Sequence, residues 1–273
     1  MNVVNAGDLP LLQFSILRDH PEVVHAVTTK AGGDSIGLYR GLNLGLRLGD
    51  DDELVRENRR RVAKALGFDL SSVVTPLQVH GATIEAVVQD LADRGGSSYE
   101  SGIPSADGLL TNVKGMLLMI KVADCFPVFL FDPQNHAVGL VHAGWRGTAQ
   151  GIVACAIGDM VRRYGSHPDQ VIACVGPGIQ KCCFTVGEEV LAAFGEGRCR
   201  PGRLSGAEVK AEIPCRFDLQ GAIYRRLRAC GIRHHNIEVS EDCTFCRRDL
   251  FFSYRRDAGK TGRMAALIGV KKE

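Results

Sequence analysis

The sequence has little excess of either charge, no cluster of basic residues and no long apolar segment. Its 33 lysines and arginines face 31 aspartates and glutamates, which leaves a net charge of +2. Because the two signs are interspersed, nothing resembles a nucleic-acid-binding arm, and we expect neither nucleic acid nor a membrane as a partner. The apolar run that starts at Gly115 meets Lys121 after six residues, which is too short to cross a bilayer.

Signals for export and for domain linkers are absent as well. The N-terminus has no basic segment ahead of its apolar residues, so we predict no signal peptide and a cytoplasmic protein. Without an export signal, the ten cysteines favour reduced thiols over a disulfide scaffold. No repeat or low-complexity linker divides the 273 residues, and we predict one domain over residues 1–273, with surface loops at 92–102 and 195–206.

The pattern of apolar residues predicts an α/β fold of the α+β kind, built as a layered sandwich. Four strand-like runs separated by short turns fill residues 106–144, which favours an antiparallel or mixed central sheet over a regular βαβ winding. Further strands are predicted at residues 23–29, 82–88, 170–178 and 263–270. Helices, which we expect to cover the sheets, are predicted at residues 50–67, 148–165, 186–195 and 217–231.

Two histidines and one cysteine lie where predicted strands meet turns: His80, Cys125 and His142. Two imidazoles and one thiolate are a reasonable ligand set for a catalytic zinc ion, with the fourth position left to water. The three residues lie on separate segments, so only the fold could bring them together. Each also has a structural interpretation, as a core thiol or a hydrogen-bonded strand-end imidazole. Asp124 is either a partner of Cys125 or a simple strand-end carboxylate.

Other motifs point to structure rather than to chemistry. Cys243 and Cys246 form a Cys-X-X-Cys pair, but a zinc knuckle needs a second spaced pair, and Cys182 and Cys183 are adjacent. We therefore predict that the Cys243–Cys246 pair consists of structural thiols. The sequence AGKTG at residues 258–262 lacks the upstream glycine that a phosphate-binding P-loop requires.

The motifs that carry the two histidines and the cysteine resemble those of the laccase-domain, or polyphenol oxidoreductase, family. LQVHG, VADCFPVFLFDP, HAGWRG and FFSYRRD occur in the family's order, and matching stretches span most of the chain. The resemblance implies a single-domain α/β sandwich and a zinc-binding set that falls, motif by motif, on His80, Cys125 and His142. It also implies purine nucleoside phosphorylase activity on adenosine, inosine, guanosine and S-methyl-5'-thioadenosine, with adenosine deaminase activity.

The implied chemistry assigns roles to particular side chains. Deamination needs water activated by a metal ion, and phosphorolysis needs phosphate held by arginines or backbone N–H groups. Arg146, four residues after His142, is the first candidate for a catalytic residue, together with Cys125 and His80. The candidates for binding base, ribose or phosphate are Asn43, Gln78, Arg59 and Arg255. The expected partners are purine nucleosides and phosphate, and the expected assembly is a monomer or a homodimer.

Other functions stay open at this point. A metal-free hydrolase or amidase, such as an editing enzyme for cytoplasmic peptidoglycan precursors, would use Cys125 as nucleophile and His142 or His80 as base. A non-enzymatic metal-binding domain would bind zinc without turnover. Copper in place of zinc would support weak phenol oxidation as a side activity. A multicopper centre is disfavoured, because the eight histidines include no His-X-His pair.

Overall fold

The computed structural model describes residues 1–195 and 215–272. The strands of these residues are, in chain order, β1 (Asn2–Ala6), β2 (Leu9–Gln13), β3 (Val23–Thr28), β4 (Val73–Val74), β5 (Ile84–Ala86), β6 (Gly108–Thr111), β7 (Leu117–Val122), β8 (Phe126–Asp132), β9 (Ala137–Ala143), β10 (Ile172–Val175), β11 (Thr185–Val186), β12 (Cys215–Arg216), β13 (Ile237–Val239) and β14 (Met264–Val270). The α-helices are α1 (Ser15–Arg18), α2 (Asp52–Ala65), α3 (Trp145–Ala149), α4 (Ile152–Tyr164), α5 (Glu188–Ala193) and α6 (Leu219–Ala229). Among these residues, every helix is too short or too polar to cross a membrane.

Two six-stranded sheets form the centre of the fold. The strand order is β1-β2-β3-β14-β7-β4 in the first sheet and β13-β10-β8-β9-β6-β5 in the second. Most neighbours are antiparallel, but β4 pairs with β7, β5 with β6 and β10 with β13 in parallel. The mixed sheet predicted from the sequence is therefore confirmed, and so is the α+β class.

The two sheets pack face to face, and helices cover their outer faces. Strand β8 shows this arrangement, because successive side chains of a strand point to opposite faces. Phe129 and Phe131 belong to the core between the sheets, whereas Val128 and Leu130 pack with residues of α4 and α6. On the far side, α2 packs against β7 and β14. Strands buried on both faces read as unbroken apolar runs, which explains the character of residues 126–131.

The ends of the helices follow local signals. Asp51 accepts a hydrogen bond from the N–H of Glu53 at the start of α2, and α4 ends at Gly165, whose φ of 71° is left-handed. The prediction of one helix over residues 148–165 is wrong in one respect. Gly151, with a φ of 88°, separates α3 from α4.

The sequence did not predict β1, β2, β4, β13 or the short α1. Each has five residues or fewer, over which an apolar pattern gives little signal. Residues 196–206 of one predicted loop lie outside the described residues. Eight cysteines of the described part are free thiols, as predicted, whereas Cys215 is disulfide-bonded.

Candidate active site

Strand pairing in the second sheet brings four distant side chains to one end of that sheet. β8 and β9 are antiparallel with Pro127 opposite His142, so Cys125, directly before β8, lies beside the end of β9. β6 flanks β9 on its other side, and the carbonyl of the residue before β6, Asp107, accepts from the His142 N–H at 2.7 Å. His80 belongs to the turn that precedes β5, the neighbour of β6.

The carboxylate of Asp107 holds these segments together. Oδ1 lies 2.8 Å from Nδ1 of His142 and accepts from the N–H of His80 at 3.0 Å. Oδ2 accepts from the N–H groups of Val79 at 3.1 Å and Gly81 at 2.7 Å. Burial opposes ionisation of Asp107, yet His142, Gly81 and Val79 lower the pKa of its carboxyl below the usual value. Asp107 is therefore an anion that orients the His142 ring and fixes the turn at His80, whose φ is 60°.

His80, Cys125 and His142 form a cluster that we call the ligand triad. One ligand atom from each lies within 4.8 Å of the others, and the two imidazole centroids are 4.8 Å apart. Burial opposes ionisation of Cys125, but His142 and His80 lower the pKa of its thiol to about 6. Burial also disfavours the charged form of His142, whereas Cys125 and Asp107 raise the pKa of its imidazole to about 9. The two opposite shifts have one cause, which is the mutual attraction of the Cys125 thiolate and the His142 imidazolium.

Two glycines of HAGWRG are required by the closeness of these groups. Gly144 has an ordinary extended backbone, but a Cβ on it would lie 3.1 Å from the Cys125 sulfur and 3.2 Å from Nδ1 of His80. A Cβ on Gly147 would lie 2.4 Å from the carbonyl oxygen of Gly81. Side chains at these positions would crowd the ligand triad or push α3 away from the turn at His80.

The ligand triad lines a cavity of about 480 Å³, a size within the range of roughly 300–1,000 Å³ that small-molecule sites have. Its other charged lining residues are mostly cationic: Arg59, Lys121, Arg146, Arg255, Arg263 and the carboxylate Asp124. Aromatic side chains complete the wall: Tyr99, Trp145, Phe184 and Tyr254. This combination suits a ligand with an anionic part and a flat apolar part.

Two of the predicted arginines present their guanidinium groups at this cavity. Arg146 is exposed and lies over the ring of Trp145, at 4.4 Å from the ring centroid. Arg255 lies over Phe184 at 5.5 Å and donates to the carbonyl oxygen of Thr185 at 2.7 Å. Each cation is therefore held on an aromatic face beside the cavity.

Gln78 and Arg59 line the cavity too, but their polar atoms are bonded to the backbone. The side chain of Gln78 exchanges two hydrogen bonds with the backbone of Lys121, at 2.8 and 2.9 Å. The buried guanidinium of Arg59 donates to the carbonyl oxygens of Leu44 and residues 95–96, and burial lowers its pKa to about 9. Both side chains join the segments that form the wall.

The structure does not bring Asn43 to the cavity. Its buried side-chain oxygen accepts from the N–H groups of Gly45 at 3.1 Å and Arg263 at 2.8 Å, and its amide donates to Asp50 at 2.8 Å. The predicted direct contact with substrate is corrected accordingly. Asn43 positions Gly45 and Arg263, which do line the cavity.

Three residues of the site were missed from the sequence: Asp107, Lys121 and Arg263. The ammonium group of Lys121 donates to Thr75 at 2.9 Å and to the carbonyl of Pro76 at 2.6 Å, and burial lowers its pKa well below the usual value. A lysine inside an apolar strand was a usable signal. The aspartate before β6 had no such mark, because its partners lie in two other segments, residues 79–81 and His142.

The model of the family described as multi-copper polyphenol oxidoreductase laccase matches residues 24–271. The chain belongs to this family. The resemblance of HAGWRG and the other motifs to the laccase-domain family is thereby confirmed.

Individual relatives of this laccase-domain chain carry enzyme names. The purine nucleoside phosphorylase YlmD of Geobacillus stearothermophilus is 40% identical over 252 residues, which cover 92% of this chain and 91% of the relative. The adenosine deaminase RL5 of an unknown prokaryotic organism is 34% identical over 239 residues, which cover 86% and 89%. The crystal structure of YlmD from G. stearothermophilus superposes with a TM-score of 0.88 at 37% identity and covers 98% of both chains.

Proposed function

We propose that this chain is a zinc-dependent purine nucleoside phosphorylase that acts on adenosine, inosine, guanosine and S-methyl-5'-thioadenosine, with adenosine deaminase activity. The observation that carries the proposal is the ligand triad in a cavity of about 480 Å³ walled by cations and aromatic rings. The names of the relatives, which include purine nucleoside phosphorylases and an adenosine deaminase, support the same chemistry. The eight free cysteines of the described residues favour a reducing compartment such as the cytoplasm.

The residues of the ligand triad fit a zinc ion. Two imidazoles and one thiolate are ligands that zinc prefers, and three protein ligands leave a position open for chemistry. Asp107 bonds Nδ1 of His142 at 2.8 Å, as the partners of metal-binding histidines commonly do. Gly144 leaves space beside the sulfur and the His80 ring. Copper also binds such donors, so it is the expected substitute.

A zinc ion in this place would supply Lewis acidity and lower the pKa of water at its open position. The chain's own residues would do the rest. Asp107 fixes the orientation of His142, and Trp145 and Phe184 offer flat surfaces to a purine.

Arg146 and Arg255 carry the charge that phosphate needs. Both guanidinium groups border the cavity and both lie on aromatic faces, so we propose that they hold phosphate against the sugar. In phosphorolysis, the phosphate oxygen forms a bond to the ribose carbon as the bond from that carbon to the purine nitrogen breaks. The two arginines would hold the phosphate anion in the position for attack, and the aromatic side chains of the cavity would exclude the water that competes with it.

The test combines metal analysis with a product assay. The chain is purified without added metal or chelator, zinc and copper are quantified, and adenosine is incubated with and without phosphate. We expect ribose-1-phosphate and adenine only with phosphate, and inosine in both reactions. His80→Ala and Cys125→Ala should lose both activities, whereas His136→Ala, at an exposed turn, should keep them. Stoichiometric zinc without turnover would contradict the proposal.

A metal-free Cys–His hydrolase is the second candidate, and one contact favours it. Nδ1 of His142 lies 2.8 Å from Oδ1 of Asp107, and the ring lies in one cluster with the Cys125 thiol. This is the order of nucleophile, base and orienting carboxylate in cysteine hydrolases. A metal-free hydrolase would keep its turnover in the presence of chelators and lose it when Cys125 is alkylated. The zinc enzyme, in contrast, would be inactivated by chelation and reactivated by zinc.

A further inference from the structure

A second group of sulfur atoms lies outside the ligand triad. The thiols of Cys182, Cys183, Cys243 and Cys246, which we call the cysteine cluster, all lie within 4.8 Å of one another. The sulfur of Cys246 is 3.3 Å from that of Cys183 and 3.9 Å from that of Cys182. Their spacing in the sequence argued against a zinc site, but the fold brings the two pairs together.

The spacing of these sulfurs is close to that of a metal cage. Four thiolates at a zinc–sulfur distance of about 2.3 Å in a tetrahedron lie about 3.8 Å apart. The measured separations of 3.3 and 3.9 Å bracket that value. A disulfide requires about 2.05 Å and joins two sulfurs only, so it does not account for the convergence of four.

The backbone around Cys243 is arranged as in thiolate sites. The N–H of Gln180 donates to its sulfur at 3.4 Å. This contact holds the Cys243 sulfur in place within the cysteine cluster. Basic residues stand next to both cysteine pairs: Lys181, Arg247 and Arg248.

We propose that the cysteine cluster is a second, structural metal site that binds zinc through four sulfurs. It is separate from the ligand triad and goes beyond the proposed catalytic function. A closed set of four cysteines, with no position left for substrate, is the usual form of structural zinc.

The cluster joins two segments that form a wall of the cavity. Gly178 pairs with Cys243 in a β-bridge, and the N–H of Thr244 donates to the Gly178 carbonyl at 3.0 Å. The hydroxyl of Thr244 and the N–H of Arg255 donate to the two carboxylate oxygens of Asp124, each at 2.7 Å. The carboxylate of Asp124 therefore links the segment that carries Thr244 to the segment that carries Arg255. A metal in the cluster would fix the loop that carries Phe184 against the loop that carries Arg255.

The experiment measures metal content and does not depend on activity. The full chain is purified without added metal or chelator, and zinc per chain is determined by mass spectrometry. We expect one equivalent from each site, and the His80→Ala/His142→Ala variant should keep the equivalent of the cysteine cluster. When that variant is reconstituted with cobalt(II) alone, it should show the sulfur-to-cobalt charge-transfer bands of a tetrathiolate site.

Matched cysteine variants identify the ligands. Cys182→Ser/Cys246→Ser, at two exposed positions, should lose one equivalent of zinc and the cobalt bands, whereas Cys155→Ser, at another exposed thiol, should lose neither. Wild-type protein without zinc beyond the ligand triad, or with a disulfide between cluster cysteines in the native chain, would overturn the proposal. If the double variant fails to fold, the wild type is titrated with a mercurial reagent instead. We then expect zinc to be released in proportion to the modification of the cluster thiols. Modification of those thiols without zinc release would overturn the proposal. Loss of metal from the ligand triad alone affects only the catalytic proposal.

Discussion

Replacing Asp107 with asparagine tests the role of the residue on which the ligand triad rests. In the wild-type chain, Oδ1 bonds Nδ1 of His142 and the N–H of His80, and Oδ2 accepts from the N–H groups of Val79 and Gly81. An asparagine offers one oxygen and one NH₂ group. In either orientation of the amide, the NH₂ group would replace an oxygen that accepts two hydrogen bonds. Two donors of the protein would then face a group that can only donate.

The magnitude follows from these contacts. A hydrogen bond to a charged group contributes about 1.5–3 kcal/mol, so the loss of two predicts a decrease of about 3 kcal/mol or more in the free energy of unfolding. Loss of the partner that orients a metal-binding histidine weakens metal binding roughly 10- to 100-fold. We therefore expect Asp107→Asn to bind zinc more weakly by that factor.

The assay is a competition for zinc against a chelator of known affinity, combined with urea unfolding of the metal-free protein. Asp132→Asn is the matched control, because Asp132 is equally buried and accepts from the N–H groups of Gln134 and Asn135 in the β8–β9 turn, away from the cavity. It should lose stability while its zinc affinity stays unchanged. A folded Asp107→Asn protein with wild-type zinc affinity would refute the assigned role, and so would an equal loss of affinity in the control.

Three further predictions concern the site and the core. Gly144→Ala should lose zinc without unfolding, because its backbone angles suit alanine while its Cβ would crowd Cys125; metal analysis and circular dichroism measure this, and full zinc occupancy would contradict it. Arg146→Ala should abolish phosphorolysis and leave zinc bound, whereas wild-type turnover would remove Arg146 from the mechanism. Burial lowers the pKa of His25 from 6.5 to about 4, where its Nε2 accepts from the N–H of Phe14, so the unfolded chain binds more protons than the folded one in that range. The contribution of neutral His25 to the free energy of unfolding is fully present above pH 6.5. It should be lost as pH falls towards 4, by about 3 kcal/mol. Urea unfolding at a series of pH values measures this, and a His25→Gln variant with the same dependence of unfolding free energy on pH would contradict it.

Most of the fold could be predicted because the central strands are buried on both faces. Residues 106–144 read as four apolar runs, and each became a strand of the two sheets. The break at Gly151 was hidden, since one glycine within a helical pattern does not reveal its backbone angles. The edge strands β1 and β13 were hidden because they are short and partly exposed.

The candidate site was predictable where chemistry marks a residue. His80, Cys125 and His142 stood out by type and by their motifs, and the fold brings them together. Asp107 could not be found in this way, because its role depends on partners that are up to 35 residues away. The predicted contact of Asn43 failed for the same reason, since its partners Arg263 and Asp50 make it a buried connector.

The assembly of the ligand triad from neighbouring strand ends has a consequence for folding kinetics. His142 and Asp107 meet when β6 pairs with β9, and Cys125 joins them when β8 pairs with β9, so no short segment of the chain holds the whole ligand triad. Contacts between residues distant in sequence form at a high entropic barrier and favour slow folding. Zinc at the ligand triad would therefore bind the native chain and not its early folding states. The rate of zinc uptake during refolding would then report when the second sheet is complete. Bound zinc would also raise the free energy of unfolding by mass action.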